Sequence, residues 1–293
     1  MIGIHKIGRQ LPYSVSRINS KVGADTMPFE IMSLLKRRNI DYQVVNDVNQ
    51  VSSGIDTLII VSGVSKVFAK DYRKLQKTIG NIIYLIDDPK LTQGYLVELS
   101  NIVMEPSIAV RQYQNGLLFP PELWAASYSY SMVDPGNHRT IRLIYWGSDT
   151  GPKKSERLEK YFQNHSVANN EDVLYLKSQK YNYDTRVDID ILETTRSCSK
   201  FTICVNDRLL TDRQYFNGRI YEAIVSGIMP IADIEYNMYN GFKHVPVVKD
   251  RKTLEYTIQN LEDKERITIV RDIQELYRTA VVKAEDVFLE VLN

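Results

Sequence analysis

The sequence predicts an α/β protein built as two consecutive halves, each a parallel, doubly wound sheet, and three observations carry that expectation. Apolar runs such as Thr57–Val61 and Asn81–Ile86 lack the alternation of half-solvated strands, so they suit strands covered on both faces by helices. Helical periodicities fall between such runs at the spacing of repeated strand and helix units. The pattern then breaks between 114 and 138, at Pro120-Pro121, Trp124 and Asp134-Pro135-Gly136-Asn137, and restarts. At 293 residues the chain has room for two such domains.

In order, Ile2–Ile7 reads as a strand followed by a long polar loop. A helix starts near Thr26, which can cap it, with Pro28 just inside and Phe29, Ile31, Met32, Leu34 and Leu35 on its apolar side. Strands are expected at Asp41–Val45, Thr57–Val61, Asn81–Ile86 and Asn101–Met104, with a helix over Lys66–Thr78. After the break come strands at Thr140–Tyr145, Asp172–Leu176, Phe201–Val205 and Ile228–Ala232, and helices at Lys153–Asn164, Gln214–Ser226 and Thr253–Leu261. Leu261–Val291 reads as one or two terminal helices. The expected domains are 1–135, 136–270, and a terminal segment 271–293 returning to the first. The two sheets are expected to face a cleft, with ligands at the carboxyl ends of the strands.

Composition excludes several classes. Hydrophobic residues at 43% and charged residues at 25% describe a folded globular protein. No apolar stretch approaches the roughly 18 residues of a membrane span, and the first residues lack the apolar core of a leader. Cys198 and Cys204 match no zinc or redox spacing, so a reducing cytoplasm is expected. The four histidines are scattered and predict no metal cage, and His5 reads as structural. Asp188 and Asp190 alternate as in a DxD metal motif, but in a segment the sequence does not place. A net charge of +1 excludes nucleic-acid binding by bulk electrostatics. Basic residues nonetheless gather at Lys6, Arg9, Arg17 and Lys21, and at Lys66, Lys70, Arg73, Lys74 and Lys77; both sets read as candidate phosphate-facing surfaces, the second alternatively as a solvated helix face.

Three segments could carry chemistry. Ile86-Asp87-Asp88-Pro89-Lys90 puts two carboxylates at a strand end, where one partly desolvated Asp could act as a general base; the alternative is a structural cap before Pro89, a role that suits Asp87 more than Asp88. Tyr145-Trp146-Gly147-Ser148, followed by Lys153 and Lys154 at a helix start, suits a phosphate: glycine allows close approach and the lysines supply charge. In Gly218-Arg219-Ile220-Tyr221-Glu222-Ala223, Arg219 and Glu222 are three apart on one helix face. A helix stop at Ser226-Gly227 leads from there into Ile228-Met229-Pro230-Ile231. A guanidinium there could clamp a diphosphate and the carboxylate could take two ribose hydroxyls, although an i,i+3 surface ion pair is the commoner meaning of the pattern.

The Arg219/Glu222 helix with its Ser-Gly-x-x-Pro stop resembles the sugar-nucleotide helix of GT-B glycosyltransferases. The order of the motifs is similar to that in the phage DNA glucosyltransferases. That resemblance implies a GT-B fold and a nucleotide-sugar donor, a UDP-sugar, without a tightly bound metal, although a divalent cation could stimulate. It implies Asp88 as general base, with Asp25 near the sugar; Arg219, Lys153, Lys154, Gly147 and Ser148 on the donor diphosphate; and Glu222 on the ribose. It further implies inverting transfer to the hydroxymethyl group of a modified pyrimidine flipped out of duplex DNA. The duplex would be held by Arg17, Lys21, Lys70 and Lys74, in a monomeric enzyme in the cytoplasm of an infected bacterium. Lysines replace arginines after the Gly-Ser turn, so the charge is kept and the planar fork lost. Two alternatives stand beside this: a GT-B enzyme acting on a glycan or small molecule, and a non-catalytic nucleotide-binding module.

Overall fold

A computed structural model describes residues 1–8, 26–51, 53–63, 69–148, 154–162, 173–178, 189–238 and 242–292. They divide into two compact units, Met1–Leu123 with Ala284–Asn293, and Trp124–Lys283.

The first unit contains β1 (Ile2–Lys6), α1 (Thr26–Arg37), β2 (Tyr42–Val44), β3 (Thr57–Val61), α2 (Ala69–Leu75), β4 (Asn81–Leu85), α3 (Gly94–Leu99), β5 (Ile102–Glu105) and β6 (Gly116–Leu118). Its strands form one parallel sheet in the order β2-β1-β3-β4-β5-β6. Every residue of β3 is buried, as its apolar run requires, and so is every residue of β1, where the polar His5 and Lys6 find buried partners. Tyr72 and Leu75 of α2 pack with Leu58, Ile60, Ile82 and Tyr84 of the sheet into one core on a single face.

The second unit contains β7 (Ile141–Ser148), α4 (Lys154–Phe162), β8 (Val173–Ser178), α5 (Ile189–Ser197), β9 (Ser199–Cys204), α6 (Arg208–Asp212), α7 (Arg219–Val225), β10 (Met229–Asp233), β11 (Val247–Val248) and α8 (Arg251–Asn260). Its sheet is also parallel, in the order β11-β10-β9-β7-β8. The period of two along β7 splits the core. Leu143 and Tyr145 join Leu158, Tyr161, Phe162 and Leu254 on one face, while Ile144 and Trp146 join Ala223 and Ile228 on the other, with Leu192 of α5 against them.

The terminal segment is one helix, α9 (Asp263–Leu292), whose last residues belong to the first unit. There Glu285, almost wholly buried, takes Arg37 at 2.5 Å and Arg38 at 3.1 Å from the end of α1, and Phe288 meets Phe119 edge-on.

Sequence reading found the strands of both sheets but for two short ones. β6 falls in the stretch taken as a break, and β11 is two residues long. The helix expected over Gln214–Ser226 is confined to α7, because Gln214 holds a left-handed backbone at φ 49° and the Asn217 side chain accepts the first N–H of the helix. None of the helices among the described residues is long and apolar enough to cross a membrane.

Candidate functional site

The strongest constellation lies in the second unit, where the carboxyl end of β7 meets α7. Because Trp146 and Ile144 share the face that α7 covers, the Trp146 indole reaches the helix, and its Nε1 donates to Glu222 Oε2 at 2.9 Å. Arg219, one turn earlier, donates from Nη1 to the same oxygen at 3.1 Å. Its guanidinium carbon also sits 4.8 Å from the Trp146 ring centroid. Arg196, at the end of α5, brings a second guanidinium to within 5.3 Å of that ring and 3.6 Å of Glu222 Oε2. Two cations and an indole N–H thus converge on one carboxylate oxygen, and the cluster keeps one net positive charge.

Electrostatics rank these groups. Burial pulls the Arg196 guanidinium below its ordinary value, and Glu222 opposes the shift. Arg219 and Glu222 remain partly exposed, at 23% and 30% of their side chains. Cys204 nearby is buried, its thiol pushed up to about 12, and burial also raises the Tyr236 phenol well above its usual range. Both are therefore neutral near pH 7.

Local geometry fixes α7 at both ends. At its start, Asn217 Oδ1 accepts the Arg219 N–H at 3.1 Å, and the Tyr236 hydroxyl donates to the Asn217 carbonyl at 2.7 Å. At its end, the N–H groups of Gly227 and Ile228 return to Ile224 and Ala223, both at 3.0 Å, with Gly227 at φ +68°. That left-handed glycine closes the helix and turns the chain into β10. Arg139 reinforces the stop, donating to the carbonyls of Ser226, Ser199, Asp134 and Arg196.

Gly147 marks the mouth of the cluster. Its φ is +128°, and a Cβ there would lie 2.9 Å from Arg219 Nη2. Glycine is needed both for the backbone and for the guanidinium's approach. Lys154, the first residue of α4, stands 6.0 Å from the ring of Tyr145, which points to the opposite face from Trp146. Ser148 ends β7, and Lys153 lies outside the described residues.

In the first unit the strand ends gather a second polar group. Lys6 ends β1 and its Nζ lies 2.6 Å from Asp87 Oδ2; the hydroxyl of Ser62 donates to Oδ1 at 2.5 Å and accepts the Asp87 N–H at 3.1 Å. Desolvation raises the Asp87 pKa, against the opposing pull of Lys6. Asp88, expected as the base, caps the 3₁₀ turn Pro89–Leu91 by accepting the Lys90 N–H at 2.9 Å, so capping falls to Asp88 and burial to Asp87. His5 is buried, its ring nitrogens against the Val45 carbonyl at 2.7 Å and the Tyr72 hydroxyl at 3.1 Å. Burial lowers its pKa. Arg9, Arg17, Lys21, Asp25 and Lys66 lie outside the described residues, as does the DxD pair's Asp188. Lys70 and Lys74 belong to α2. Among the described residues no three His, Cys, Asp or Glu side chains are grouped to hold a metal.

Trp146 and Arg196 are the residues that sequence reading missed. The alternation along β7 signals Trp146, since it puts that ring on the α7 face. Nothing in the sequence signals Arg196, which reaches the site only through the packing of α5.

No protein-family model and no curated protein sequence matches the chain. Solved structures do. The E. coli trehalose-6-phosphate protein bound with UDP-2-fluoro glucose aligns at TM-score 0.57 and 10% identity over 99% of this chain and 98% of that one. The UDP-forming α,α-trehalose-phosphate synthase from Burkholderia vietnamiensis aligns at 0.55 and 10% identity, over 94% and 80%. A trehalose-6-phosphate synthase studied for glycosyl transfer with retention aligns at 0.53 and 11%, over 98% and 92%. The fold is therefore GT-B: two Rossmann-like parallel-sheet domains with C-terminal helices.

These likenesses correct the expected resemblance to phage DNA glucosyltransferases. With it fall the duplex-DNA partner, the hydroxymethylated pyrimidine acceptor, base flipping, and inverting transfer to a hydroxymethyl group. The physical reason is that the motifs behind that resemblance are strand ends, a Gly-Ser turn and an Arg/Glu helix face. Such short features recur at the strand and helix ends of parallel α/β sheets whatever the acceptor, and do not identify it. The basic helix that was to grip DNA, α2, is a seven-residue element whose Tyr72 and Leu75 are buried and whose Arg73 and Lys74 are exposed. A solvated face suffices to explain its charge.

Proposed function

We propose that the protein is a glycosyltransferase that uses a nucleoside diphosphate sugar, a UDP-sugar, and transfers the sugar to a small carbohydrate or sugar-phosphate acceptor. The observation that carries this reading is the Arg219–Glu222–Trp146–Arg196 cluster beside Gly147, set at the carboxyl end of β7 in the second sheet of a GT-B fold. Ligands of open parallel sheets bind at that end. Support for the donor and for the acceptor class comes from the structures of like fold, one bound with UDP-2-fluoro glucose and another described as UDP-forming.

The residues divide the work by charge. Arg219, partly exposed, is the guanidinium that can swing to the diphosphate, whose negative charge grows as the glycosidic bond to it breaks. Lys154 adds a point charge near the same strand end. Glu222, held on one oxygen by Trp146 and Arg219, can turn its carboxylate toward the vicinal hydroxyls of a ribose. Gly147 leaves room for the phosphates to approach the backbone.

Incubation with a panel of UDP-sugars and monosaccharide or sugar-phosphate acceptors, followed by mass spectrometry, tests the reading. UDP release with formation of a glycosylated acceptor supports it. Absence of nucleotide binding and of turnover across the panel overturns it.

A further inference from the structure

On the donor reading above, Arg219 has to become available to the diphosphate. In the structure Arg219 is committed to Glu222 by a 3.1 Å hydrogen bond. A diphosphate must compete with that carboxylate for the guanidinium. If Arg219 leaves, Glu222 loses both a donor and a charge.

Arg196 stands where it can replace that charge. Its Nη1 lies 3.6 Å from the same Oε2, its guanidinium packs on the same indole, and only 10% of its side chain is exposed. Its Nε is buried and, among the described residues, has no hydrogen-bond partner. A buried cation so sparingly hydrogen-bonded lowers stability unless nearby charge compensates it. Its own backbone is pinned, since Arg139 donates to the Arg196 carbonyl at 3.3 Å. It is too deep to follow a ligand, so its charge stays beside Glu222. The other titratable groups that act on the cluster are Cys204 and Tyr236, both neutral near pH 7, and Glu193 and Tyr128 on the Arg196 side.

We propose, resting on that donor reading, that Arg196 is a positioning residue: it remains as the counter-ion of Glu222 when the donor diphosphate draws Arg219 away, so that Arg219 can change partners without leaving the carboxylate uncompensated.

The test compares UDP with uridine, which lacks phosphates and makes no demand on Arg219, by calorimetry on the full chain. Arg196→Gln should weaken UDP binding by about tenfold or more, within the range of coupled neighbours, while changing uridine affinity by less than about threefold. Arg196→Lys keeps the charge and should restore UDP affinity to within about threefold of the parent. In a Glu222→Gln background nothing competes for Arg219, so adding Arg196→Gln should change UDP affinity by less than about threefold. Equal weakening of UDP and uridine, or an undiminished Arg196→Gln effect in the Glu222→Gln background, overturns the proposal in favour of a packing role. An unchanged UDP affinity in Arg196→Gln also overturns it. If Arg196→Gln does not fold, Arg196→Lys carries the test, and a tenfold loss there is the contrary result. A parent protein that binds neither UDP nor uridine overturns the donor reading itself, and this proposal with it.

Discussion

Lys6 Nζ and Asp87 Oδ2 stand 2.6 Å apart with 1% and 7% of their side chains exposed, an ion pair sealed at the carboxyl ends of β1 and β4, the two strands that flank β3. Ser62, just past β3, completes it by donating to the other carboxylate oxygen. Such a pair contributes little net stability as a whole, but losing one partner strands the other without water.

Lys6→Met is therefore expected to destabilise the protein by about 3–5 kcal/mol, and Lys6→Met with Asp87→Leu to recover most of that loss. Urea denaturation of the three proteins checks it. A single-variant loss below about 1 kcal/mol would show that solvent reaches the pair.

Glu122 gives a pH signature. Burial pushes its carboxyl up to about 6 in the folded protein. Unfolded, a glutamate titrates near about 4.3, so folding favours the protonated form. This group's stabilising contribution is full below about 4.3 and is lost as pH rises through about 6. Glu122→Gln should thus be more stable than the parent at pH 8, by on the order of 1 kcal/mol, with the advantage vanishing near pH 4. Denaturation curves at both pH values decide it, and a variant less stable than the parent at pH 8 would be the opposing result.

At the mouth of the Arg219–Glu222–Trp146 cluster, Gly147→Ala combines a backbone cost with a collision against Arg219. A backbone at this positive φ alone costs an alanine about 1–3 kcal/mol. Stability should fall by that amount and UDP affinity by more than the stability loss alone explains, since the guanidinium must move. Parental UDP affinity in this variant would separate Gly147 from the donor site.

The two parallel sheets were legible because strands covered on both faces leave an uninterrupted apolar signature, as in Thr57–Val61. Helix limits were harder: the expected start at Gln214 ignored the left-handed turn that tertiary packing imposes there. The Arg219/Glu222 face was readable from i,i+3 spacing, and Gly147 from its small-residue turn. Arg196 was not, because it lies on a helix whose approach to β7 is set by packing across the sheet. The sequence favoured Asp87 over Asp88 as the cap before Pro89, and the structure reverses this: Asp88 caps the turn and Asp87 is buried, a distinction that depends on Lys6, 81 residues away. The acceptor was misread for a different reason, since the short motifs carrying the resemblance, a strand-end acid, a Gly-Ser turn and an Arg/Glu helix face, do not specify an acceptor.

The central claim is that the second unit binds a UDP-sugar through Arg219 and Glu222 and that the protein passes its sugar to a small acceptor. The most direct measurement is UDP release from a panel of UDP-sugars, with and without sugar-phosphate acceptors, in the parent, Arg219→Ala and Glu222→Ala proteins. Acceptor-dependent UDP release by the parent with at least one donor is expected, together with a loss of about 10² or more in kcat/KM for Arg219→Ala, from removing a cation on the developing charge. Glu222→Ala should act chiefly through weaker donor binding, because the ribose gains no charge in the transition state. Turnover unchanged in both variants, or a parent that neither binds nor consumes any UDP-sugar, would contradict it.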